Sequence, residues 1–288
     1  MSNKIPNLFI VGAPKCGTTS LYFYLEQHKE IFFSEPKELN YFSNEEIKSQ
    51  GLYYHDYIVN TEEEYLKIFS KAANVHKIIG EASVSYLFYP SVPKKIFNFN
   101  PNAKIVIILR DTVKRAWSHY LMDKRLGLVN KDFMDVFYSE DESDKLYYQQ
   151  YFLLGNYYTQ VSKYFEYIDR KNIHILFTDD LKKDVQKELD KIFDFLEIDR
   201  IVISNLAKYN SYRDAKYVFL KRLYKNKLLR KTASALLPAQ TKNNFLSKFF
   251  IAKPPRLDSN VERILREYYL QEIKGLESLL NCDLSSWK

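Results

Sequence analysis

Asn7-Leu8-Phe9-Ile10-Val11-Gly12-Ala13-Pro14-Lys15-Cys16-Gly17-Thr18-Thr19-Ser20-Leu21 is the stretch that decides the fold class. Asn7 to Val11 is a short apolar run of the kind that forms a buried strand, and Thr18 to Gln27 carries apolar residues at helical spacing. Between them lies a loop with two glycines, a proline and a lysine. A strand that feeds a helix through such a loop presents backbone N–H groups and the positive end of the helix dipole to one point, which suits an anion. Gly12 and Gly17 allow the tight turn and close approach. The stretch therefore predicts a nucleotide phosphate held by Lys15, Cys16, Gly17, Thr18, Thr19 and Ser20.

Working outward, Lys77–Gly80 reads as a second strand and Pro90–Phe99 as a helix. Ala103–Leu109 is a continuous apolar run expected in the middle of a parallel sheet. Lys114–Leu126, Tyr157–Ile168 and Val185–Leu196 read as helices, with a strand at Ile173–Phe177 between the last two. Strands alternating with helices predict an α/β fold: a central parallel sheet of the P-loop type flanked by helices. Lys216–Ser234 is a basic, helical-looking stretch, and Asp258–Leu280 a long amphipathic helix. At 288 residues and 46% hydrophobic, the chain is expected to form one domain over 1–288.

The formal net charge of +7 suggests an anionic partner without choosing among nucleotide, nucleic acid, membrane surface and acidic sugar. The 24 Tyr and 20 Phe are expected in and around the core rather than on a stacking surface. Two cysteines, Cys16 and Cys282, argue against a disulfide scaffold and a zinc site. With no long apolar run near Met1 and no Asn-x-Ser/Thr acceptor, the expectation is a cytoplasmic protein without a stable membrane anchor.

The loop departs from the NTPase pattern G-x-x-x-x-G-K-[ST], because Thr18 stands where that motif has its lysine and Lys15 lies inside the loop. NTPases pair that lysine with Mg2+, held by the loop hydroxyl and a strand-end carboxylate. Here the strongest strand ends in Leu109-Arg110-Asp111, so a cation stands where a metal-holding acid would be sought. These features point away from ATP hydrolysis and predict no metal.

Together the segments resemble the sulfotransferase superfamily that uses 3'-phosphoadenosine 5'-phosphosulfate (PAPS), particularly bacterial members related to the heparan sulfate sulfotransferase domains. The loop Gly12–Leu21 is similar to that family's 5'-phosphosulfate loop. Arg110-Asp111-Thr112-Val113-Lys114-Arg115-Ala116-Trp117-Ser118 is similar to its 3'-phosphate site, which implies that Arg110 and Ser118 grip the 3'-phosphate of PAPS and of the product PAP. The similarity extends through Gly80–Tyr86, Gly155-Asn156-Tyr157 with Gln160, Pro254–Leu257 and Asp283–Trp287. Related domains often have Lys at the place of Ala82 and Pro at that of Val84. Their Lys-Gly-Arg cofactor loop has no counterpart here, with Lys253 or Arg213 as substitutes.

The resemblance also implies that Glu38, which opens Glu38-Leu39-Asn40-Tyr41-Phe42, is the general base for the acceptor hydroxyl or amine. Glu81 stands in reserve, and His55 and His119 are lesser candidates. An ion pair of Glu38 with Lys37 is the structural alternative. Lys15 would stabilise charge on the bridging oxygen during in-line displacement. Two rivals remain at this level: a P-loop small-molecule kinase, which would need Mg2+ and ATP, and an RNA- or membrane-surface-binding protein using the basic stretch. Neither gives Arg110 and Ser118 a task. The acceptor and the oligomeric state are not legible.

Overall fold

The computed structural model describes residues 4–54, 59–206, 214–215, 250–251 and 253–288. Five parallel strands form the central sheet: β1 (Leu8–Gly12), β2 (Ile31–Phe33), β3 (Ile78–Ala82), β4 (Lys104–Leu109) and β5 (Ile173–Phe177), in the order β2-β3-β1-β4-β5. Leu8 pairs with Gly80 on one side and Lys104 on the other, and Ile105 pairs with Ile173. Every residue of β1 and β3, and all of β4 after Lys104, is buried. Cover on both faces is why these strands read as continuous apolar runs rather than alternating ones.

The helices follow local signals. Helix α1 (Thr18–Leu25) starts on Gly17, whose φ of 108° lies in the left-handed region that glycine tolerates. Later in the chain come α2 (Asn44–Gln50), α3 (Glu62–Phe69) and α4 (Val92–Phe99), the last with Pro93 in its first turn. Helix α5 (Thr112–Leu126) begins two residues before the predicted start, because the Asp111 carboxylate accepts from the Lys114 N–H at 3.0 Å. It ends at Gly127, φ 75°. Next are α6 (Phe133–Phe137), α7 (Lys145–Tyr151), α8 (Tyr157–Tyr167), α9 (Thr178–Lys183) and α10 (Val185–Leu196). The C-terminal helix, Ser259–Leu280, is capped by Asp258 and matches its predicted span. Sequence reading did not anticipate β2, α2, α3, α6, α7 or α9, and the basic stretch Lys216–Ser234 lies outside the described residues.

From β1 the chain runs toward the β2–β3 side of the sheet, whereas from β4 it runs to β5 on the other side. The crevice at the carboxyl ends of β1 and β4 is thus a topological switch point, where open parallel sheets bind ligands. The C-terminal helix braces that end: Arg266 donates to the buried Asp111 carboxylate at 2.9 Å and to the Trp287 carbonyl at 2.6 Å. No helix among the described residues is long and apolar enough to cross a membrane.

Candidate functional site

The loop after β1 is pinned from three directions. Ala13 N–H donates to the Ile108 carbonyl at 2.8 Å, Arg110 Nη1 donates to the Lys15 carbonyl at 3.2 Å, and the Thr178 hydroxyl lies 2.5 Å from the Cys16 carbonyl and 2.9 Å from that of Leu109. Lys15 holds a left-handed backbone at φ 69°, which turns its side chain away from the path of the strand. The Cys16 side chain is fully buried, with its sulfur 3.5 Å from the Tyr157 hydroxyl. Burial pushes the Cys16 thiol up and removes it as a nucleophile.

Lys15, Cys16, Gly17, Thr18, Thr19, Ser20, Arg110 and Ser118 all line one cavity of about 690 Å3 at the switch point. Its far wall is Trp117 and the segment 254–257, and the Trp117 indole N–H donates to the Pro255 carbonyl at 2.8 Å. The Arg110 Nε is buried without a hydrogen-bond partner. A guanidinium that lines the cavity and spends one nitrogen on the loop keeps further donors for a phosphate. Lys182, Thr178 and Trp117 also line this cavity, and sequence reading missed them. Of the proposed substitutes for the missing cofactor loop, Lys253 is exposed and outside the lining, and Arg213 falls outside the described residues.

A second cavity, of about 380 Å3, shares Lys15, Thr18 and Thr19 with the first. Glu38 lines it, together with Lys37, Tyr54, Phe88, Met122 and Gln150 among others. Glu38 is held in the left-handed region at φ 66°, its N–H donating to the Ala82 carbonyl at 3.0 Å and its Oε2 accepting from the Val84 N–H at 2.8 Å. Its other oxygen contacts the Lys37 ammonium, so the ion pair weighed at the sequence level exists alongside a place in the cavity wall. The Lys15 ammonium reaches the seam between the cavities, 3.2 Å from Met122 Sδ. Burial, with Arg125 next, lowers its pKa to about 8.

The reserve bases are placed differently. Glu81 is buried outside both cavities, with its oxygens accepting from Tyr65, Ser83 and Tyr86 hydroxyls at 2.5, 2.6 and 2.7 Å. Burial outweighs those donors and pushes its carboxyl up to about 7. His119 touches the second cavity, but its ring is wedged between Tyr54 and Arg115, and burial drives its pKa well below the usual imidazole range. His55 lies outside the described residues. Among the described residues, no group of three His, Cys, Asp or Glu is placed to hold a metal ion.

Residues 6–278 match the family model described as "Sulfotransferase domain", and the chain belongs to that family of PAPS-dependent enzymes. The P-loop kinase and the non-enzymatic rivals fall with that finding. Similar proteins include the membrane-associated sulfotransferase kil1 of Dictyostelium discoideum, 34% identical over 118 residues, which are 40% of this chain and 22% of that protein. Human carbohydrate sulfotransferase 15 is 32% identical over 154 residues, 41% of this chain and 27% of that one. The Drosophila melanogaster bifunctional heparan sulfate N-deacetylase/N-sulfotransferase is 24% identical over 297 residues, covering 96% of this chain and 26% of the relative. The chain thus spans under a third of the length of these curated relatives. A sulfotransferase structure from Alicyclobacillus acidocaldarius shares the fold, with TM-score 0.74, 24% identity and 98% of both chains covered.

Proposed function

We propose that this member of the sulfotransferase family moves a sulfuryl group from PAPS to a hydroxyl or amine of an acceptor bound in the second cavity. The observation that carries this reading is the meeting of two cavities on Lys15, Thr18 and Thr19, with Arg110 and Ser118 on one side and Glu38 on the other. The 5'-phosphosulfate would sit on the loop and the first turn of α1, and the 3'-phosphate on Arg110 and Ser118. The acceptor oxygen or nitrogen attacks sulfur, the bond from sulfur to the 5'-phosphate oxygen breaks, and PAP leaves. Lys15 offsets the charge that grows on that oxygen, and Glu38 takes the acceptor's proton.

In this reading residues 1–288 act as one sulfotransferase domain, which the match over 6–278 supports. The test is transfer of labelled sulfate from PAPS to hydroxyl and amine acceptors, run in EDTA. Product without added metal, dependent on Lys15, is the expected result. Failure of the purified protein to bind PAP at all would sink the reading.

A further inference from the structure

The second cavity has an apolar, aromatic side, and the two cations among its described lining residues stand against Glu38 and at the seam with the first cavity. Leu52, Tyr54, Val84, Phe88, Met122 and Leu154 form an apolar side, and the rest of the lining is mostly uncharged polar groups such as Asn40, Ser85, Gln149 and Gln150. Lys15 and Lys37 are the cations among the described lining residues. Lys37 contacts Glu38, and Lys15 stands at the seam with the donor cavity. An acceptor carrying carboxylates or sulfates would be taken out of water next to the Glu38 carboxylate with no further cation among the described lining residues to meet it, and an uncompensated buried charge is costly.

One wall of this cavity is also held rigid. The Tyr54 hydroxyl lies 2.5 Å from Asp123 Oδ2 and 2.9 Å from His119 Nε2, while Arg115 Nη1 lies 3.3 Å from His119 Nδ1. Arginine can only donate, so Nδ1 accepts and Nε2 carries the ring proton. The His119 N–H then donates to the Tyr54 oxygen, and the Tyr54 proton must go to Asp123. Tyr53 and Tyr151 donate to the same Asp123 oxygen at 3.0 and 2.9 Å. The Tyr54 ring is therefore fixed before any acceptor arrives, and an acceptor pays little ordering cost to lie against it.

Resting on the sulfotransfer reading above, we propose that the acceptor is an uncharged hydroxyl compound with a flat apolar body, seated against Tyr54 and Phe88, rather than an anionic polysaccharide. A cavity of about 380 Å3 sets its size at one small-molecule ligand.

A matched pair tests the charge: 2-naphthol and 6-hydroxy-2-naphthoic acid have the same ring body, and the second adds a carboxylate. With PAP-loaded protein in a calorimeter and with PAPS in initial-rate assays, 2-naphthol should bind and turn over. The acid and a heparosan oligosaccharide should give kcat/KM lower by about tenfold or more. Phe88→Ala should raise the KM for 2-naphthol about tenfold without changing PAP affinity, and Tyr54→Phe, which keeps the ring but loses the two hydrogen bonds that fix it, should raise that KM by a smaller factor. Equal or better use of the charged acceptors, or no binding of 2-naphthol to the PAP-loaded protein, overturns this acceptor class while leaving sulfotransfer intact. Loss of PAP binding itself would instead remove the sulfotransfer reading and the acceptor class with it.

Discussion

The Lys15 ammonium rests 3.2 Å from the thioether sulfur of Met122, a weak acceptor, although Asp123 is the next residue on α5. Asp123 Oδ2 is taken by three tyrosine hydroxyls and its Oδ1 is buried without a partner. A cation left with so little compensation is poised for an incoming anion, and its pKa of about 8 records the cost.

Lys15→Ala should abolish transfer even at saturating PAPS, because the charge it meets grows in the transition state. In the wild-type protein the charged lysine is the active form, present below about pH 8 and lost above it. The value of kcat/KM for PAPS should therefore fall as pH rises through that region. The limb in kcat should lie higher, since bound donor charge favours the ammonium. A flat alkaline profile together with turnover in Lys15→Ala would refute the role.

Arg110 has two tasks here, since it also holds the Lys15 carbonyl at 3.2 Å. Arg110→Ala should weaken PAP by roughly ten- to a hundredfold, the scale of lost charge-assisted hydrogen bonds, and should disturb the loop as well. Ser118→Ala is the cleaner probe of the 3'-phosphate: PAP should weaken severalfold, AMP hardly at all. Calorimetry with both nucleotides on both variants decides it, and equal losses of PAP and AMP in Ser118→Ala would place the 3'-phosphate elsewhere.

Glu81 shows how far the sequence could be read. That Lys15–Ser20, Arg110 and Ser118 share one cavity was legible because the parts are local: one loop, and an arginine and serine eight residues apart on a strand end and the next helix. The acceptor cavity was not, because Tyr54, Phe88, Met122 and Gln150 come from four segments that only packing brings together. Only the resemblance ranked Glu38 above Glu81, because the sequence itself does not show which carboxylate faces a cavity. One lines the cavity; the other is sealed under Tyr65, Ser83 and Tyr86. Strands β1 and β4 were found because burial on both faces leaves an unbroken apolar run, whereas the three-residue β2 is too short to carry a period.

Glu81 should accordingly govern stability rather than turnover. Its carboxyl, ordinarily near 4.5, is raised to about 7 in the folded protein. Between those values the folded state binds the proton and the unfolded state does not. The contribution of the protonated acid is thus full below about pH 4.5 and fades as pH rises through about 7. Glu81→Gln should flatten the change in Tm between those pH values while sparing kcat. Glu81→Ala, which strands three buried hydroxyls, should lower Tm sharply. A large loss of kcat in a stably folded Glu81→Gln protein would make it a catalytic group after all.

Glu38→Gln is the sharpest test of the proposed base. Glutamine keeps the size of the side chain, and its carbonyl oxygen can still accept from the Val84 N–H that meets Glu38 Oε2 at 2.8 Å. The turn that sets φ at 66° is built by the backbone bond to Ala82, so the fold and PAP affinity should survive. What glutamine cannot do is take a proton. Turnover of an alcohol should fall by roughly a hundred- to ten-thousandfold, the usual contribution of a general base. A nitrophenol, which loses its proton with little help, should be far less affected. Lys37 gives an internal control, because its ammonium contacts the same carboxylate. Lys37→Met frees that oxygen and should leave alcohol turnover within a few-fold of wild type if the contact is only an ion pair. If Glu38→Gln keeps full alcohol turnover while Lys37→Met loses it, the proton goes to another group and Glu38 serves to hold Lys37.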